Sequence, residues 1–210
     1  MNISYAITVC NELEEIDKLL KFLFQHKRKI DEVVVLFDKV NGTEEVRQLL
    51  VSYNLQYDFD FRWYEAEFKN HFAEWKNYLT ELCDKDFIFQ IDADELPTVE
   101  LIETLPYLIE QNVDVVLVPR VNIVKGLTEE HVRKWGWRLN DLGWVNWPDY
   151  QWRVYRNTES IFWKNKVHEV LEGFKTFSAL PSDDRVRNLH LVHVKEIERQ
   201  EKQNNFYTSL

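Results

Sequence analysis

Three carboxylates fall within four residues at Asp92-Ala93-Asp94-Glu95, directly after the apolar run Phe87-Ile88-Phe89-Gln90-Ile91. Acids crowded this closely repel one another and need a counter-charge. A hard divalent cation such as Mg²⁺ or Mn²⁺ supplies one and keeps positions open for phosphate. The competing reading is an acidic turn at the start of the next helix, since Asp and Glu favour helix N-termini. The place of the cluster, after a strand buried on both faces, favours the metal, because open α/β sheets bind ligands at the carboxyl ends of their strands.

Other groups able to do chemistry are scattered along the chain. Asp38 ends the run Asp31-Glu32-Val33-Val34-Val35-Leu36-Phe37. An acid there can accept hydrogen bonds from a ribose or a base, and a solvated turn residue fits equally well. Asn11-Glu12 follow the run Ile3 to Val9; Asn11 can cap the next helix, with Glu14 completing a capping box. Val167-His168-Glu169-Val170 sets an imidazole beside a carboxylate, and His190 and His193 lie within another apolar stretch. Arg153 and Arg156 alternate in Gln151–Arg156 and are expected on one face of a strand, where they can pair with a diphosphate or with acids across the sheet.

The elements that must position these groups follow from periodicity. Apolar runs at Ile3–Val9, Asp31–Asp38, Phe59–Tyr64, Phe87–Ile91 and Val113–Val118 read as strands. Between them, residues with helical spacing run from Leu13 to Leu23, Val46 to Leu50, His71 to Cys83 and, after Pro97-Thr98, Val99 to Leu108. Asn41-Gly42-Thr43 gives a turn and a cap for the second helix. This alternation predicts an α/β domain with a mostly parallel sheet flanked by helices. With no Gly-x-Gly-x-x-Gly or Walker sequence and only five glycines, dinucleotide and P-loop folds are disfavoured, and phosphate must be handled by metal and side chains. Arg120 to Tyr150 lacks clean periodicity and predicts a long loop or lid. Ile161-Phe162-Trp163 is expected to pair with the strand Gln151–Arg156, and Lys195 to Tyr207 to form a charged helix.

The 210 residues fit a single domain, 1–210, with a nucleotide-binding-like half at 1–118 and an irregular half at 119–210. A net charge of −10 argues against a nucleic-acid surface. Cys10 and Cys83 read as free thiols of a reducing compartment. Neither a signal peptide nor an apolar run of about 20 residues is present, so a cytoplasmic protein without a transmembrane segment is expected. Six of the eight tryptophans lie between Trp135 and Trp163. Each one singly fits a core, and the cluster also fits a face that stacks on sugar rings.

The ordered set Ile7-Thr8-Val9-Cys10-Asn11-Glu12, Val33 to Asp38, Trp75-Lys76-Asn77, Asp92-Ala93-Asp94-Glu95, Trp152 to Arg156, Val167-His168-Glu169 and His190 to His193 resembles the family 2 glycosyltransferases of GT-A fold. Within that group it looks most like the sugar transferases of lipopolysaccharide-core type. The resemblance implies a nucleotide-sugar donor, with a UDP-sugar favoured, a glycan or glycoconjugate acceptor, and Mn²⁺ or Mg²⁺. It places Asp94 and Asp92 at the metal, with a histidine completing the site; His193 is preferred and His190 is the alternative. Val9, Asn11, Glu12 and Asp38 would hold the nucleoside, Asp92 and Ala93 would line the donor site, and Lys76, Asn77 and Arg153 would lie near the diphosphate. Glu169 would be the catalytic base of an inverting transfer, tuned by His168, with Asp141 and Asp149 as rival bases. Two other classes compete: a carbohydrate-binding module without turnover, and a sugar nucleotidyltransferase. The acidic Asn11-Glu12-Leu13-Glu14-Glu15 disfavours the second.

Overall fold

The computed structural model describes residues 1–183 and 188–209. Its first half alternates strand and helix: β1 (Ile3–Val9), α1 (Leu13–His26), β2 (Glu32–Asp38), α2 (Glu44–Tyr57), β3 (Phe61–Ala66), α3 (Phe72–Glu81) and β4 (Phe87–Asp92). A short β5 (Glu95–Pro97) and α4 (Val99–Ile109) follow, then β6 (Val115–Lys125), α5 (Glu129–Trp135) and β7 (Val145–Arg156). The chain finishes with β8 (Phe162–Lys164), β9 (Val170–Glu172), β10 (Phe177–Ala179), β11 (Leu191–Glu196) and α6 (Ile197–Ser209).

Among the described residues the main sheet runs β3-β2-β1-β4-β7-β6-β11-β5, with β10 beside β6, and β8 and β9 form a separate pair. The first four strands are parallel. β7 runs antiparallel between β4 and β6, and β11 lies parallel to β6. All seven residues of β2 are buried, as expected for a parallel strand covered on both faces. Phe87 and Phe89 of β4 face one layer, packed by Ile16 and Leu20 of α1 and Leu105 of α4. Ile88 faces the other, with Trp75 and Leu79 of α3 and Trp163 of β8. Register sets the carboxyl ends level, since Thr8 pairs with both Leu36 and Asp92. Among the described residues, no helix is long and apolar enough to cross a membrane.

Four expectations are revised. Asn11 does not cap α1. The cap position is Glu12, whose Oε2 instead accepts from the backbone N–H groups of Cys10 (2.9 Å) and Asn11 (3.0 Å). Ile161–Trp163 does not pair with β7; Phe162–Lys164 pairs with Val170–Glu172. Much of 120–150 is regular: β6 continues to Lys125, α5 follows with Thr128 and His131 forming a capping box, and β7 begins at Val145. Arg153 and Arg156 are three apart and so point to opposite faces of β7. Arg153 is buried, while Arg156 reaches Asp114 at 3.4 Å.

Candidate active site

A cleft of about 930 Å³ opens over the carboxyl ends of β1, β2 and β4. Its size suits a ligand of several rings. Val9, Asn11 and Glu12 line one rim, Asp92, Ala93 and Asp94 the floor, and His168 and Glu169 the opposite wall. Asp38 is buried and shapes the rim. Its Oδ1 accepts from the N–H groups of Val40 (3.1 Å) and Phe68 (3.3 Å), and its Oδ2 from Asn41 Nδ2 (2.7 Å). Thr43, expected as a cap, does cap α2.

The acids of the floor have separate partners. Arg153 Nη2 donates to Asp92 Oδ2 at 2.6 Å and also reaches Glu95 Oε1. Arg120 Nη1 donates to the same Glu95 oxygen at 2.8 Å, and its Nη2 to Asp149 Oδ2 at 2.8 Å. Burial alone would raise the Asp92 pKa, but the charges of Arg153 and Lys76 outweigh it and hold the group below the usual carboxylate range. Asp94 is also held low against burial, chiefly by its hydrogen bond and charge interaction with His193, with Lys195 contributing. His193 Nε2 lies 3.2 Å from Asp94 Oδ2. Its Nδ1 faces Asn122 Oδ1 at 3.1 Å, while Asn122 Nδ2 donates to Asp149 at 2.8 Å. In that chain Asn122 Oδ1 accepts from Nδ1, and Nε2 is aimed at Asp94. His190 is elsewhere, its ring near Trp144 and Trp147.

On the facing wall, Lys76 runs its stem along the buried face of α3. Its ammonium lies 4.6 Å from the Trp163 ring and 3.2 Å from Glu169 Oε1. His168 holds φ 54, an uncommon conformation for a side-chain-bearing residue and one that recurs at functional sites. Asn77 is not part of the cleft lining; its amide donates to the Trp163 carbonyl and accepts from the Trp163 N–H. Asp141 is exposed and outside the lining, and Asp149 lines it but is bonded by Arg120, Asn122 and Gln151. Sequence reasoning missed Arg120, Asn122 and Arg199 altogether. No local pattern marks them, and only Pro119 before Arg120 signals a change of texture.

Residues 4–181 match the profile described as Glycosyl transferase family 2, which is most of the chain. The chain belongs to glycosyl transferase family 2. The architecture of this family 2 chain is of GT-A type. Among solved structures it is similar to Staphylococcus aureus TarS 1-349 in complex with UDP-GlcNAc, at TM-score 0.66 and 15% identity, covering 93% of this chain and 59% of that one. A second structure of S. aureus TarS 1-349 aligns at TM-score 0.63 and 17% identity, covering 92% and 60%. The family 2 chain thus spans about 60% of that TarS structure, and at this identity the likeness is one of fold. No curated protein matches significantly.

The donor chemistry of the family 2 cleft can be tested against a divalent cation. Among the described residues, no group of three or more His, Cys, Asp and Glu side chains gathers around one point. Asp94 and His193 nevertheless present an oxygen and a nitrogen side by side. Mg²⁺ is usually bound by one or two carboxylates, with water and substrate phosphate completing the shell, so Asp94 fits such an ion, with His193 beside it. Asp92, expected as a second ligand, has its Oδ2 on Arg153. The counter-charge required by the crowded acids therefore comes first from arginine. Arg153 itself is not turned to a free phosphate site; a buried guanidinium between two carboxylates is held where its charge is neutralised.

Proposed function

We propose that this chain transfers a sugar from a nucleoside-diphosphate donor, with UDP-sugars favoured, to a hydroxyl of a glycan or glycoconjugate. The observation that carries the reading is the meeting in one cleft of Asp38, the Asp94–His193 pair and the Glu169–Lys76 pair, in a chain of this family. Asp38 and the rim at Val9–Glu12 receive the nucleoside. Asp94 and His193 hold the divalent cation, which when bound supplies positive charge to the departing diphosphate. Lys76 adds a fixed positive charge close by, and Asp92 stays ionised on Arg153 to shape the floor.

Glu169 takes the proton of the acceptor hydroxyl as its oxygen forms a bond to the anomeric carbon. The bond from that carbon to the diphosphate oxygen breaks, the electron pair leaves with the nucleoside diphosphate, and the configuration inverts. The left-handed backbone at His168 sets the angle from which Glu169 enters the cleft. Trp137 and Trp152, both half-buried in the wall, offer faces on which acceptor rings stack.

Isothermal titration of UDP, then GDP, with and without Mn²⁺, tests the site. Mn²⁺-dependent binding is expected, weakened at least about tenfold in Asp94→Ala, since a charged contact is worth roughly 1.5–3 kcal/mol. Folded protein that binds neither nucleotide in Mn²⁺ would remove the donor site.

A further inference from the structure

The C-terminal helix α6 meets the floor of the cleft through one side chain. Arg199 Nη2 lies 3.3 Å from Asp94 Oδ2 and 3.1 Å from Glu12 Oε1, and its Nη1 lies 2.9 Å from Glu15 Oε1. One guanidinium thereby joins the turn after β4 to the start of α1, across the gap that the donor would enter. None of the described side chains of α6 is fully buried. Glu201 of the same helix lies 3.6 Å from His131 of α5. Lys202 and Asn204 of the same helix also line the cleft.

Asp94 Oδ2, the oxygen that Arg199 approaches, is the one that also faces His193. A cation on that oxygen and a guanidinium beside it repel strongly at such a separation. The two therefore compete. Displaced from Asp94, Arg199, unlike the buried Arg153, is exposed enough to exchange its pairing with Glu12 and Glu15 for phosphate oxygens, which a planar guanidinium takes in paired hydrogen bonds.

Resting on the donor reading above, we propose that Arg199 is a donor-binding residue that changes partner. It neutralises Asp94 while the cleft is empty, gives up that oxygen to the incoming cation, and closes α6 onto the diphosphate. The substrate group it recognises is the diphosphate itself, whichever base or sugar the donor carries.

The test is Arg199→Gln, which keeps the length and helix propensity of the side chain, with Arg199→Lys as a second variant. Three quantities are measured by titration on the full chain: Mn²⁺ alone, UDP in saturating Mn²⁺, and GDP in saturating Mn²⁺. For Arg199→Gln, Mn²⁺ alone is expected to bind about two- to fivefold tighter, because a partly exposed competing ion pair is gone. The better-bound nucleotide is expected to bind about tenfold weaker, because a charged hydrogen-bonding partner is gone. Arg199→Lys keeps the charge without the paired geometry, so its Mn²⁺ affinity should stay near wild type while nucleotide binding falls in between. It carries the test should Arg199→Gln not fold. Opposite signs support the exchange. Affinities that fall together, or do not move while wild type binds nucleotide, reduce Arg199 to a structural tie and overturn the proposal. Wild type that binds neither nucleotide overturns the donor reading itself, and this proposal with it.

Discussion

Lys76 and Glu169 face each other at 3.2 Å, and the proposed transfer asks different things of each. A base must be ionised to take a proton, while binding of the donor depends on positive charge. Glu169→Gln separates the two. Single-turnover transfer is expected to fall by about 10²–10⁴-fold, with UDP affinity in Mn²⁺ by titration staying near wild type. Loss of both together would mean that Glu169 holds the cleft in shape through Lys76. Cys10 gives a second check on the electrostatics of the rim. Burial, then Glu12 and Asp38, push its thiol up to about 11. Below that value the thiol is protonated and unreactive, so at pH 8 iodoacetamide should modify it on the order of a hundredfold more slowly than an ordinary free cysteine. The rate should climb as pH approaches 11, which peptide mass spectrometry can follow.

At the scale of elements, the strap between β4, β5, β6 and β7 decides where the floor lies. Glu95 is buried on β5 and takes Arg153 of β7 and Arg120 of β6, and its Oε2 also accepts from the Asp92 N–H at 3.2 Å. Removing Arg153 takes the ion-pair partner from Asp92 and leaves the buried Glu95 with Arg120 alone. Arg153→Met is therefore expected to lower unfolding stability by about 3–5 kcal/mol, measured by urea denaturation, whereas Arg156→Met, on a partly exposed pair with Asp114, should cost about 1 kcal/mol or less. Equal losses for the two would mean that the strap is not a special element of the fold.

For the whole molecule, the shifted groups set a pH window. Asp92 and Asp94 have folded pKa values below the unfolded one. Their contribution is present above about pH 4 and is lost as pH falls through the folded values. Tyr5 and Tyr155 are raised mainly by burial. Their neutral forms favour the fold up to about pH 10, and that contribution is lost above it. Melting temperature should therefore be flat between roughly pH 5 and 9 and drop on both sides. A maximum confined to mildly acid pH would contradict that assignment.

Much of the architecture was legible because it is local. Unbroken apolar runs such as Val33 to Phe37 identify strands buried on both faces, and the spacing of Ile16, Leu19, Leu20 and Leu23 identifies a helix stripe. Glu12 rather than Asn11 at the start of α1, and the pairing of β8 with β9, were not legible, since either choice satisfies the same local pattern. The acids of the site were visible as a cluster, and their partners were not. Arg153 reaches Glu95 across 58 residues, His193 reaches Asp94 across 99, and Arg199 reaches Glu12 across 187. By itself the sequence determined that carboxylates would gather at the end of a buried strand and need positive charge. Only the tertiary structure decided that Arg153 and Arg120 neutralise Asp92 and Glu95 and that Asp94 sits between His193 and Arg199, because Coulomb energy depends on separation in space and not along the chain.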